Sequence, residues 1–234
     1  MKRASRQFMA MVRLMVGLGI RDIKITGIEH LQKIGSSGGI VIATTHMTDL
    51  DMPLSAFVLG RYFDLVAVNM SLHHSFRSNP LINILLHLSG KRNFLPVDYK
   101  EGKPAKGIFN LANYIPMMDA LHNGKAVMIS AHRPMSEPHL PERGGIGVVY
   151  LAGIANAPIL PVAVRLQTPD LSLGYTNTIW KTILHRPSAH LIIGSPLSFD
   201  SLSVPTELTP DLKQELGRRS KEVMIRLAGI LGNI

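Results

Sequence analysis

Along the first twenty residues the apolar positions recur at helical spacing. Phe8, Met11, Leu14, Met15 and Leu18 share one face of a helix over residues 1–20, with Arg3, Arg6 and Arg13 largely elsewhere. Such a face packs either on the chain's own domain or in a membrane interface. The period then shortens. Residues 22–26 alternate as a short strand, Gly27 turns, and residues 39–45 (GIVIATT) form an unbroken apolar run bounded by glycines, as in a strand buried on both faces. A helix over DMPLSAFVL follows, with Asp49 or Asp51 to cap it and Pro53 in its first turn. The pattern predicts further strands at 63–69, 93–97, 126–130, 158–166 and 189–193, and helices at 80–88, 105–122, 145–155 and about 211–231. Asn123-Gly124 ends the 105–122 helix. In the last helix Leu216, Val223, Leu227 and Ile230 fall near one face, and Arg218, Arg219, Lys221 and Arg226 mostly on others. The alternation is that of a single α/β domain over residues 21–234, preceded by the amphipathic helix of residues 1–20. The proline-rich stretch 197–210 is a connection within it.

Composition narrows the classes. The 234 residues are 46% hydrophobic, 18% charged and 6% aromatic, which opposes disorder and leaves apolar surface for lipid or a partner. A net charge of +9 favours anionic partners without choosing among them. The basic residues are not interleaved with aromatics, so no nucleic-acid partner is expected. With no cysteine, disulfides, thiolate metal sites and cysteine nucleophiles are excluded. His73-His74, His132 and His139 do not combine with carboxylates at ligand spacing, so no metal is expected, and no GxxxxGK[ST] element cradles a nucleotide. Arg13 interrupts the apolar N-terminus, and the clean run 14–20 is too short to span a bilayer, so neither a secretory signal nor a transmembrane helix is expected. A cytoplasmic protein bound peripherally to anionic lipid at the inner face of the membrane fits these features.

Reactive chemistry concentrates at Thr44 to Asp51, TTHMTDLD, where a histidine follows a buried strand and precedes an aspartate by five positions. Strand ends are where α/β folds place reactive groups, and a turn before the helix can fold Asp51 back onto the imidazole. A neutral imidazole can take a proton from an alcohol, while a carboxylate on its other nitrogen fixes the tautomer and stabilises the imidazolium. No serine nucleophile is then required. The HxxxxD pattern by itself fits equally a loop histidine beside a helix-capping aspartate.

The longer run IKITGIEHLQKIGSSGGIVIATTHMTDLD resembles, in order and spacing, the opening of the glycerolipid (PlsC-type, lysophosphatidate) acyltransferases. In that resemblance His46 and Asp51 fall on the HxxxxD pair, Thr45 stands for the usual Asn, and Thr48 for the usual Ser. The family's IPVDR block is similar to Phe94-Leu95-Pro96-Val97-Asp98, with Tyr99 at the Arg and Lys100 beside it. Its VPIVPV block resembles Ala157-Pro158-Ile159-Leu160-Pro161-Val162. The FPEGTRS block is where the chain departs: Ile129-Ser130-Ala131-His132-Arg133 lacks the Glu and the Gly. The resemblance covers about residues 22–166. It implies a mixed central sheet flanked by helices, and transfer of an acyl group from acyl-CoA or acyl carrier protein to a hydroxyl of a lysophospholipid-like acceptor, without cofactor or metal. It makes His46 the general base and Asp51 its orienting group, with Thr45, Thr48, Asp98, Lys100, His132, Arg133 and Pro161 toward substrate, Arg133 and Lys100 holding phosphate. The lost Glu and Gly leave open an amine or a non-phosphorylated alcohol as acceptor. A non-catalytic, lipid-binding relative is the third reading.

Overall fold

The computed structural model describes residues 6–34, 39–48, 50–69, 94–96, 114–132, 140–167, 184–203 and 208–232. In chain order the elements are α1 (Arg6–Gly19), β1 (Ile23–Thr26), a 3-10 turn (Ile28–Lys33), β2 (Ile40–Thr44), α2 (Asp51–Leu59), β3 (Leu65–Asn69), β4 (Phe94–Pro96), α3 (Ile115–His122), β5 (Ala126–Ser130), α4 (Gly147–Ile154), β6 (Ile159–Gln167), β7 (Ser188–Ile193) and α5 (Pro210–Gly232). The expected strands all form. The 3-10 turn was not foreseen, and the expected helix at 80–88 and the first part of that at 105–122 lie outside the described residues.

Seven strands join in one sheet, ordered β1-β7-β6-β2-β5-β3-β4. Every pairing is parallel except β6 with β7, so the sheet is mixed. Central β2 is buried at all five positions, as expected for a parallel strand covered on both faces. Alternation along β2 and β6 sends Ile42, Leu160 and Val162 to one side, under α1 and α2, and Val41, Ile159 and Ala163 to the other, under α3, α4 and α5. Gly27 needs its left-handed conformation (φ 79°), and a side chain there would strike the Ile193 carbonyl. Gly124 (φ 71°) ends α3, as its sequence suggests.

Two helices correct the expected faces. In α1 the buried positions are Phe8, Val12 and Val16, whereas Leu14 and Leu18 are exposed at 54% and 52%. Methionines run along the helix between these two sides, so hydrophobicity alone did not distinguish the inward one. In α5 Arg219, placed outward by periodicity, is buried, because it has partners: Nη1 donates to the Asp200 carbonyl (2.7 Å), Nε donates to Glu215 (2.7 Å), and the guanidinium lies 5.4 Å from the Phe199 ring centroid.

Hydrogen bonds from Arg218 and Arg219 hold the Glu215 carboxyl down to about 2 from an ordinary 4.5. A carboxyl whose folded value lies below its unfolded one stabilises the fold above the unfolded value and loses that contribution as pH falls through the folded one. The side chain is 35% exposed and screened by solvent. Glu215→Gln is therefore expected to cost about 1 kcal/mol at neutral pH and much less near pH 2, as read from urea midpoints of both proteins across that range.

Candidate functional site

The parallel strands β2, β5 and β6 end on the same side of the sheet, and the TTHMTDLD segment leaves β2 there. Thr45 N–H still pairs with the Val162 carbonyl (3.1 Å), and the Thr45 hydroxyl accepts Val164 N–H (3.1 Å) while donating to Asp51 Oδ2 (2.9 Å). One threonine thus ties the start of α2 to β6.

Asp51, fully buried as the first residue of α2, organises the turn. Its Oδ2 also accepts Met47 N–H (2.8 Å), and its Oδ1 accepts both the N–H (3.2 Å) and the hydroxyl (2.6 Å) of Thr48. A carboxylate offers about four acceptor positions, and these four donors fill them. The expectation that Asp51 folds back onto the imidazole is therefore revised: it folds back onto the turn. Nor does it cap the helix, whose N-cap position is Leu50 with no side-chain cap. Burial pushes the Asp51 carboxyl above the ordinary range, while the bonds from Thr48, Met47 and Thr45 pull it back.

His46 is half-buried. Its Nδ1 lies 3.3 Å from the Thr48 carbonyl oxygen, which also accepts Asp51 N–H (3.3 Å). A carbonyl only accepts, so Nδ1 carries the proton in this contact and the ring's lone pair is on Nε2. Asp51 reaches the imidazole through Thr48: carboxylate to Thr48 N–H and hydroxyl, Thr48 carbonyl to the ring. An imidazole in this tautomer can take a proton at Nε2.

His132, expected toward substrate, comes from the chain just beyond β5 and lies behind His46. Its Nε2 accepts the His46 backbone N–H (3.0 Å), and its ring is buried. Ser130 donates its hydroxyl to the His132 carbonyl. Pro161 is buried in the body of β6, opposite Ala43 and against Gly194, one strand from β2 and not at its end. Asp98, Lys100 and Arg133 lie outside the described residues. The structure thus brings together Thr45, His46, Thr48, Asp51 and His132. Sequence reasoning missed the Met47 N–H and the Gly144-Gly145 pair, whose backbone reaches Ala131; the doubled glycine was the available signal. Among the described residues no three His, Asp or Glu side chains are placed to hold a metal ion.

No protein-family model matches the chain, and no curated protein matches it. Among solved structures it is similar to the crystal structure of the 1-acyl-sn-glycerophosphate (LPA) acyltransferase PlsC from Thermotoga maritima, with a TM-score of 0.52 and 12% sequence identity, over 93% of this chain and 78% of that one. At that identity the likeness concerns architecture: the chain has a glycerolipid acyltransferase-like fold.

Proposed function

We propose that the protein is an O-acyltransferase that moves a fatty acyl group from a thioester, acyl-CoA or acyl carrier protein, to a hydroxyl of a lysophospholipid-like acceptor. The observation that carries this reading is the 3.3 Å approach of His46 Nδ1 to the Thr48 carbonyl oxygen. With Nδ1–H on the Thr48 carbonyl, Nε2 is the base, held at a sheet end by a turn that Asp51 ties down. The acceptor hydroxyl gives its proton to Nε2 as its oxygen attacks the thioester carbonyl. The C–S bond then breaks, and the thiolate leaves with the proton from the imidazolium. Asp51 orients His46 through Thr48, whose N–H and hydroxyl it accepts and whose carbonyl holds the ring. Lys100 and Arg133, from the blocks that resemble the family's, serve the anionic parts of donor and acceptor.

The test is an acyl-transfer assay with the purified protein, acyl-CoA and acyl carrier protein donors, and lysophosphatidate, glycerol phosphate, non-phosphorylated lysolipid and amine acceptors. Ester formed on lysophosphatidate is the expected result. Preference for an amine or an uncharged alcohol would reassign the acceptor, and binding of lipid without transfer to any acceptor would make the protein a non-catalytic relative.

Membrane contact belongs to the same reading. No helix among the described residues is long and apolar enough to cross a membrane. On α1, however, Leu14 and Leu18 point outward on a surface lined also by Arg6 and Arg13, an arrangement for peripheral binding to anionic lipid on the cytoplasmic face. Each leucine buried in lipid contributes roughly 2 kcal/mol. Leu14→Glu with Leu18→Glu is expected to lower partition into phosphatidylglycerol vesicles on the order of tenfold or more; unchanged cosedimentation would remove α1 from the contact.

A further inference from the structure

The β2–β5 ladder ends abnormally at His46. Thr44 lies opposite Ser130, and Ala131 N–H donates to the Thr44 carbonyl (2.8 Å). Parallel ladders are evenly spaced, so the next acceptor, for His46 N–H, would be the Ala131 carbonyl. That oxygen is engaged elsewhere. Gly145 N–H donates to it (2.8 Å), and the Gly144 backbone lies so close that a side chain there would strike the same oxygen. His46 N–H turns instead to a side chain, His132 Nε2, at 3.0 Å.

An imidazole nitrogen accepts a hydrogen bond only when it carries no proton. His132 is therefore neutral here, protonated at Nδ1, and it is 4% exposed. A proton on Nε2 would set N–H against N–H at the root of the His46 side chain. Small displacements of a catalytic group cost much: about 1 Å of misplacement is worth on the order of 10²-fold in rate.

We propose that His132 is a positioning residue: its neutral imidazole replaces the sheet carbonyl as acceptor for the His46 N–H and fixes the backbone from which the base projects. This rests on the reading of His46 as general base, but the bond itself is testable without turnover. In protein labelled with ¹⁵N at histidine and at the backbone, His132 is expected to show an unprotonated Nε2, a protonated Nδ1, and a scalar coupling between Nε2 and the His46 amide nitrogen. A protonated Nε2, or no such coupling, overturns the proposal whether or not the protein transfers acyl groups.

The kinetic arm separates positioning from substrate binding. With acyl-CoA and lysophosphatidate, His132→Leu is expected to lower kcat on the order of 10²-fold with the acceptor KM within about twofold. His132→Gln, whose amide oxygen reaches about as far as Nε2, is expected to recover at least about tenfold of the loss. Should the leucine variant not fold, His132→Asn, with its acceptor one bond shorter, takes its place and is expected to fall below Gln. A raised KM with kcat retained makes the ring a substrate-binding group and overturns the proposal, as does equal activity of the variants with and without the acceptor. A wild type with no transfer defeats the acyltransferase reading and leaves the NMR result to decide this one.

Discussion

His46→Ala is expected to lower kcat for acyl transfer on the order of 10³-fold, with little change in stability. The ring is half-buried, and its Nδ1 approaches the Thr48 carbonyl at 3.3 Å, a contact to a backbone group that the turn's other hydrogen bonds hold in place. His46→Asn sharpens the test. Its amide nitrogen stands near the place of Nδ1 and can still donate to Thr48, while nothing replaces Nε2. If the imidazole serves as base, Asn is as inactive as Ala; if it only braces the turn, Asn recovers most of the rate. The comparison is made in kcat, since a base acts in the transition state and leaves acceptor KM largely unchanged. Residual activity within about tenfold of wild type in both variants would place the base elsewhere.

Why His46 was legible and its surroundings were not follows from distance along the chain. The GIVIATT run announces a buried strand, and the residues that leave it, Thr45 to Asp51, lie within one local turn whose bonds span two to six positions. Local chemistry of that kind can be read from spacing. Spacing does not, however, say which acceptor the imidazole finds: a backbone carbonyl competes with the carboxylate, and four nearer donors had already filled Asp51. The remaining supports cross the sheet. Val164 N–H meets Thr45 across 119 positions, and His132 meets the His46 N–H across 86. Both depend on β2 lying between β5 and β6, an order that hydrophobic periodicity does not contain. The two helix faces failed for a different reason. Val12 and Leu14 are equally apolar, and which turns inward is decided by packing on α2; Arg219 is buried because Glu215 and the Asp200 carbonyl satisfy it.

Asp51→Asn is expected to cost both stability and activity, and the geometry says why an isosteric change is not conservative. Each carboxylate oxygen accepts one backbone N–H, Met47 on Oδ2 and Thr48 on Oδ1. The hydroxyls of Thr45 and Thr48 can rotate away from an amide NH₂, but the backbone N–H groups cannot. Whichever way the asparagine amide is turned, one of them faces a donor in a fully buried site. An opposed, unsatisfied N–H costs about 1–3 kcal/mol, which for a chain of this length lowers Tm by roughly 2–12 °C. Removing the charge returns part of the desolvation cost that pushes the Asp51 carboxyl up, so a value near 2 kcal/mol is the expected balance. Activity is expected to fall on the order of 10²-fold, because Thr48, released at its N–H or its hydroxyl, no longer fixes the carbonyl that holds His46 Nδ1. Thr48→Ala separates the two effects. It leaves both backbone bonds to Asp51 in place and removes only the hydroxyl, so its loss of stability is expected to be about 1 kcal/mol. Thermal unfolding and kcat measured side by side decide the matter: if Asp51→Asn is as stable and as active as wild type, the carboxylate neither orders the turn nor orients the imidazole.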